Sequence, residues 1–280
     1  MTATAMTTSG TAPRARGGFL RAVYIVWWRD LIRFWRDRAR VAASFAQPLL
    51  YLVIFGSGLS SALGGSFGAA GGVSYTQFIY PGVISMSVLF SAIFGGMSIV
   101  WDREFGFMKE LLVAPIDRTA VAVGKTLGSA TQSLLQGLIL LVLAPLVGVT
   151  LTVQSFVALL GLMIVLAFGL SAMGVAIASK MRSMQGFQVV MNFLMMPMFF
   201  LSGALFPLVG LPVWMTVLTR LDPASYGIDP IRRTVLGAPA ERTAMTIGDQ
   251  IVPIGIEALV VFVFGLAMLA FAARAFQQRD

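Results

Sequence analysis

The 280 residues are 58% hydrophobic and only 11% charged, with a net charge of +8. A soluble domain carries about 25% charged residues, so this deficit excludes an ordinary globular core and points to an all-α polytopic membrane protein. With neither cysteine nor histidine in the chain, disulfides, thiol nucleophiles, imidazole bases and the usual zinc ligands are excluded together.

Residues 1–18, rich in Thr, Ala, Gly and Arg, are expected to form a disordered tail. They do not read as a signal peptide, because no short apolar core and cleavage site follow directly. Residues 19–38 read as an amphipathic helix. Leu20, Tyr24, Trp27, Leu31, Phe34 and Trp35 recur on one side, and Arg21, Arg29, Arg33, Arg36 and Asp37 fall on the other. An aromatic face opposite an arginine face suits a helix lying in the membrane interface.

Charge-free runs then separate Arg40 from Asp102, Lys125 from Lys180 and Arg182 from Arg220. Six membrane spans are expected, near 41–62, 76–100, 126–148, 156–178, 187–208 and 251–273. Prolines 48, 81, 145 and 197 are tolerable inside spans where neighbours satisfy the freed carbonyls. Gly124 and Gly128, Ser91 and Gly95, and Gly174 and Ala178 have the four-residue spacing of close helix packing. Lys and Arg crowd the first helix, the connections at 101–125 and 180–182, and the C-terminus, while the loops near 64–75 and 149–155 have none. The positive-inside rule therefore places both termini in the cytoplasm. The excess of positive charge follows this topology and implies no nucleic-acid partner.

Several segments carry chemical information. In 101–125, Asp102, Arg103 and Glu104 are followed by Phe105 and Phe107, then by Lys109, Glu110, Leu111 and Leu112, and Pro115 ends the run. On residues alone this is equally a compact helix at 103–115 offered to a cytosolic partner or an ordinary interfacial loop. Gly124-Lys125-Thr126 is no phosphate loop: such a loop needs a glycine at position 119, which is Thr, and a preceding strand. Lys125 reads instead as a basic anchor at the start of a span. The stretch 208–233 is apolar but broken by Pro212, Pro223, Gly227 and Pro230; it is an outer gate or a capped extracellular loop. Glu257 lies in the last span, about two turns from its outer end. Three roles are open to it: attracting a cationic substrate, pairing with Arg232 or Arg233, or reaching the interface. Met191, Met195, Met196, Met198, Phe199 and Phe200 make the fifth span adaptable, as an apolar binding surface or as packing. Asn192 is its one amide and can bond across a dimer seam.

Glu104, Gly106, Leu111, Leu112, Pro115, Arg118, Gly124 and Lys125 resemble the cytoplasmic coupling region of the ATP-binding cassette type 2 permease family. Ser202–Pro207 (SGALFP), with Leu211, Pro212 and Trp214, is similar to a second segment of that family. Leu221–Arg233 (LDPASYGIDPIRR), with Pro223, Tyr226, Asp229 and Arg232, is similar to a third. The chain departs from the pattern at Phe107, where many relatives have Thr. Within the family it looks most like the daunorubicin-resistance type of drug exporter permease, a group that also includes lipid exporters.

The resemblance implies a subunit of a plasma-membrane (inner-membrane) exporter for an amphipathic drug, polyketide or lipid. It would pair with itself or a paralogous permease, and two separate ATPase chains would bind the ATP and Mg. The helix at 103–115 would enter a groove on the ATPase. Arg103, Glu104, Lys109 and Glu110 would make salt bridges at the rim, and Phe105 and Phe107 would fill apolar pockets; Gly106, Leu111, Pro115 and Arg118 complete the coupling set. The re-entrant outer-leaflet helices and the fifth span would supply a substrate path or gate comprising Asn192, Met195, Met196, Phe199, Tyr226, Asp229, Arg232 and Glu257. The rival readings are an ion-gradient-driven multidrug carrier, a membrane-embedded enzyme and a structural subunit. The first needs a relay of intramembrane acids, of which only Glu257 qualifies. The second needs clustered catalytic groups, and the third needs no charged docking helix.

Overall fold

The computed structural model describes residues 16–59, 74–105, 117–247 and 250–278. Helix α1 (Arg16–Arg36) precedes α2 (Arg38–Val53), which loosens into a π-helical turn at Ile54–Leu59. The next helices are α3 (Tyr75–Phe94), α4 (Met97–Glu104), α5 (Arg118–Val142), α6 (Val153–Lys180) and α7 (Met184–Leu201). Then come α8 (Val213–Leu221), α9 (Ser225–Leu236), the single turn α10 (Ala238–Glu241) and the long α11 (Ile254–Gln277). A small antiparallel ribbon, β1 (Thr246–Ile247) with β2 (Gln250–Ile251), pairs Thr246 with Ile251 just before α11; it is a minor departure from an all-α chain.

Helix starts follow local chemistry. Ser74 and Gln77 form a reciprocal capping box at α3. Asp117 accepts from Thr119 N at α5, Thr152 from Ser155 N at α6, and Ser183 from Gly186 N at α7. Helix α7 stops at Leu201, short of the expected 208, because Ser202 turns back onto Phe199 O and Gly203 adopts φ +75°.

Among the described residues, four stretches are long and apolar enough to cross a bilayer: Tyr75–Glu104, Val153–Lys180, Met184–Leu201 and Ile254–Gln277. The pair α1 and α2, bent by 72°, makes a fifth if taken as one span. The expected count of six is reduced by α5. That helix carries Lys125, Ser129, Gln132, Ser133 and Gln136 and is too polar for the same measure. Its polarity is turned inward, since α5 packs against α1, α3, α6 and α11.

Helices α6 and α11 form the most extensive pair, and α9 lies between α3, α6 and α11. Small residues set these crossings. A Cβ on Gly82 would stand 2.1 Å from the Ala204 carbonyl oxygen, and one on Gly174 would stand 2.4 Å from that of Ile93. Gly124 and Gly128 face Val26 and Asp30 of α1, and Gly95 faces Ser129. Without a hydrophobic drive between helices in lipid, such close approach is what holds them together.

Two ends can be told apart. At one, Arg103 donates to Met181 O and, at 3.3 Å, to Ser179 O, while Arg118 Nη1 reaches Gln277 O at 3.3 Å. At the other, Gln77 Nε2 donates to Gly148 O at 2.9 Å and Tyr80 OH to Leu140 O at 2.7 Å. The first, with Arg103 and Arg118, is the basic end.

Candidate functional site

The basic end holds a buried ionic knot. Lys125 of α5 is 1% exposed. Its Nζ lies 3.1 Å from Asp30 Oδ2 and 2.7 Å from Asp102 Oδ2, and donates to Ser98 Oγ at 3.1 Å. Arg29 Nη2 reaches Asp102 Oδ2 at 2.8 Å and Asp30 Oδ1 at 3.3 Å; Arg33 Nη1 reaches Asp102 Oδ1 at 3.3 Å. Three helices, α1, α4 and α5, are thereby tied at one point. This corrects the reading of Lys125 as a basic anchor: the glycines at 124 and 128 bring α1 so close that the ammonium is enclosed by carboxylates.

The division of α1 into two faces is incomplete. The aromatic side is largely outward, with Leu20, Tyr24 and Trp35 exposed, and so is much of the arginine side. What packs on α5 is a third stripe, Ala22, Val23, Val26 and Asp30. Asp30 escaped the sequence reading, although a signal existed: it is the one acid between residues 19 and 36 and continues the helical stripe of Val23 and Val26.

Next to the knot, α4 ends on Glu104, which is exposed, and Phe105, which is 80% exposed. Arg103, expected at the rim of a partner groove, spends its guanidinium on the α6–α7 turn of its own chain. Arg118 is the half-buried first residue of α5, with its guanidinium on Gln277 O. Gly106, Phe107, Lys109, Glu110, Leu111 and Pro115 lie outside the described residues, as do most of the expected helix at 103–115, the tail at 1–15 and residues 60–73.

The far end holds a second cluster. Asp229, Arg232 and Glu257 are fully buried and Arg233 is 8% exposed. Arg233 pairs with Glu257 and donates to Val252 O at 2.8 Å, and its Nε lies 3.2 Å from Asp229 Oδ2. Met245 N donates to Asp229 Oδ2 at 3.1 Å. Arg232 bonds Gly203 O and stacks over the Phe78 ring at 4.4 Å. Burial brings the Arg232 guanidinium down to about 10, opposed by Asp229, so it stays cationic at neutral pH. Of the two partners open to Glu257, the structure selects Arg233. Glu257 also stands in the first turn of α11, nearer the helix start than expected. Tyr226 OH donates to Arg220 O at 2.9 Å and so braces α9 against α8.

The remaining path residues divide on α7. Met195 and Phe199 are buried in the core, Phe199 against Phe90 and Tyr51. Asn192 and Met196 are exposed on the opposite face, alongside Val189, Phe193 and Phe200. The structure therefore does not bring the eight path residues into one site. It joins Asp229 and Glu257 through Arg233, and leaves Asn192 and Met196 facing outward.

Known transport proteins resemble this chain over most of its length. The chain is 30% identical to nodulation protein J of Rhizobium leguminosarum bv. trifolii, covering 83% of this chain and 87% of that one. It is 28% identical to the inner membrane transport permease YadH of Escherichia coli (strain K12), over 82% and 89%. It is 30% identical to the putative transport permease ycf38 of Pyropia yezoensis, over 73% and 70%. Residues 21–236, from α1 through α9, match the ABC-2 type transporter family. The chain belongs to the ABC-2 type transporter family, among proteins that serve as transport permeases.

Proposed function

We propose that this chain is the membrane-spanning subunit of an ATP-driven exporter whose ATPase is a separate polypeptide present in two copies. The observation that carries the reading is mechanical. Glu104 and Phe105 are exposed, while the residues directly behind them are clamped: Asp102 by Lys125, Arg29 and Arg33, and Arg103 by the carbonyls at 179 and 181. A push delivered at 104–118 therefore reaches α1, α4, α5 and α6 together. A lever of this kind is what coupling between a nucleotide site and a substrate path requires.

In this reading α1 lies in the cytoplasmic interface, α5 joins the other helices as a crossing, and both termini are cytoplasmic in the inner (plasma) membrane. Helices α8 and α9 re-enter the outer leaflet, with the Asp229–Arg233–Glu257 cluster holding the outer gate. The exposed α7 face with Asn192 and Met196 faces a second permease subunit, identical or paralogous, and an amphipathic drug, polyketide or lipid moves outward along that seam. ATP and Mg are held by the partner ATPase.

The test is affinity purification in mild detergent from the native host, followed by transport in vesicles. An ATPase with Walker motifs should co-purify, and Glu104→Arg combined with Phe105→Ala should release it while the permease still elutes intact. Full-speed transport on an ion gradient without nucleotide would overturn the proposal in favour of a secondary carrier.

A further inference from the structure

The C-terminal half of α1 carries Arg29, Arg33 and Arg36, which with Ile32 and Asp37 frame an open cradle of about 560 Å³. Spacings of three and four residues put the three guanidiniums on one side of the helix. Arg29 reaches the ionic knot through Nη2. Arg33 reaches it through Nη1, and its side chain is still 47% exposed. Arg36 is exposed and takes no part in the knot. A guanidinium has five N–H donors, so Arg33 and Arg36 have donors to offer a ligand while the knot stays closed.

Charge says what fits. Among the described residues here, Arg29, Arg33, Arg36 and Lys125 meet Asp30, Asp37 and Asp102, so one positive charge is left over, and the exposed Arg38 adds a second. A singly charged phosphodiester answers that surplus. The carbonyl end of α1 repels an anion, so the holding must come from the guanidiniums, whose planar forks match phosphate oxygens. The same helix favours a lipid over a soluble phosphate. Ile32 sits inside the cradle, and Tyr24, Ile25, Trp28 and Trp35 continue from it as an exposed apolar stripe. Tyr24 and Trp28 stack with ring centroids 6.3 Å apart. Amphipathic aromatic rings of this kind settle at the level of lipid head groups. Just past the arginines the chain bends by 72° into α2, so with α1 lying in the interface the cradle stands at the same level.

We infer that the cradle of Arg29, Arg33 and Arg36 seats the phosphodiester of an anionic phospholipid of the cytoplasmic leaflet, with the acyl chains along Ile32 and Trp28. The seat shares Arg29 and Arg33 with Asp102, so a bound lipid steadies the joint beside Glu104 and Phe105. The site rests on the exporter reading only for the leaflet it faces. Binding is measured without nucleotide or ATPase, so failure of the exporter reading leaves this measurement standing.

The experiment uses the full chain, stripped of lipid, in a neutral detergent. Phosphatidylglycerol and phosphatidylcholine with identical acyl chains are added together, and inorganic phosphate is added separately. Native mass spectrometry reads the first lipid bound, and the melting midpoint is followed in parallel. Phosphatidylglycerol should bind about tenfold more tightly than phosphatidylcholine, the equivalent of about 1.4 kcal/mol, and should raise the midpoint; inorganic phosphate should not raise it. Arg36→Gln should weaken phosphatidylglycerol about fivefold, the equivalent of about 1 kcal/mol, and Arg36→Lys should recover part of the loss. Arg36 lies outside the knot, and lipid-free melting of each variant is compared to wild type to guard against misfolding. Arg21→Gln removes the same charge from an exposed site nearer the start of α1 and should leave binding as it was. Equal losses in Arg21→Gln and Arg36→Gln would reduce the cradle to diffuse surface attraction and overturn the inference. So would binding untouched by Arg36→Gln, equal binding of the two lipids, or a midpoint raised as far by inorganic phosphate as by phosphatidylglycerol.

Discussion

The two buried charge clusters of this bundle solve the same problem differently. At the basic end, the carboxylates of Asp30 and Asp102 have a cationic partner on each oxygen, supplied from two different helices. At the far end, Asp229 Oδ1, Glu257 Oε1, and Nε and Nη1 of Arg232 make no hydrogen bond among the described residues. A buried carboxylate paired through both oxygens is held rigidly, while one paired through a single oxygen is held in place only by its surroundings. The comparison suggests a fixed joint at one end and a rearrangeable latch at the other. That division suits a protein that takes in a push at one end and opens at the other.

The strongest way to break the comparison is to disable the joint. Asp102→Ala leaves Lys125, Arg29 and Arg33 facing the single carboxylate of Asp30. Breaking a buried pair by removing one partner costs about 3–5 kcal/mol, so the melting midpoint in detergent should collapse and expression should fall. Adding Lys125→Met should recover part of the loss, because it removes the stranded charge. A double mutant no more stable than Asp102→Ala would show that the knot is not a coupled unit.

Close packing is expected to matter at both ends. Gly174→Ala drives a methyl toward the Ile93 backbone, and Gly82→Ala drives one toward the Ala204 backbone. Overpacking of this sort costs about 1–3 kcal/mol. Both should lower the melting midpoint. If the far end is the more adaptable, Gly82→Ala should lose less than Gly174→Ala despite its shorter contact.

Glu257→Gln sharpens the latch half. The amide can still accept from Arg233, so the stability loss should be near 1 kcal/mol, while transport in vesicles should fall much further. Unchanged transport would make the pair merely structural.

Much of this arrangement was legible in the sequence, and the gaps have physical causes. The apolar runs located α3, α6, α7 and α11 to within several residues, because burial in lipid demands length and hydropathy that nothing else mimics. Helix α5 was placed, but its polar residues were not understood. Hydropathy reports how apolar a helix is, whereas Lys125 and Gln136 are buried against partners distant in the chain. For Glu257 the sequence leaves three roles open, pairing with Arg232 or Arg233 being one of them, since which groups face α11 depends on how α9 is rotated. Asp30 was missed because α1 was divided into two faces when three are present.

Asp222 gives the smallest effect and the finest test of the far end. It lies between α8 and α9, 6% exposed, accepting from Ala224 N at 2.9 Å, with Ser225 Oγ at 3.5 Å. Burial pushes its carboxyl up from 3.8 to about 7, and those two hydrogen bonds only partly oppose it. Between these values the folded chain holds a proton that the unfolded chain has released. Stability from this group is thus fully present below about pH 4 and is lost as pH rises through about 7. Asp222→Asn mimics the protonated form at every pH. The melting midpoint of wild type relative to Asp222→Asn should therefore decline from pH 5.5 to pH 8, while the same comparison for Asp102→Asn, made at the tightly paired joint, should not show this fall. A flat difference for Asp222→Asn would mean that this carboxyl is already ionised at pH 5.5, with water or a cation at the junction of α8 and α9, and that the far end is better satisfied than the comparison holds.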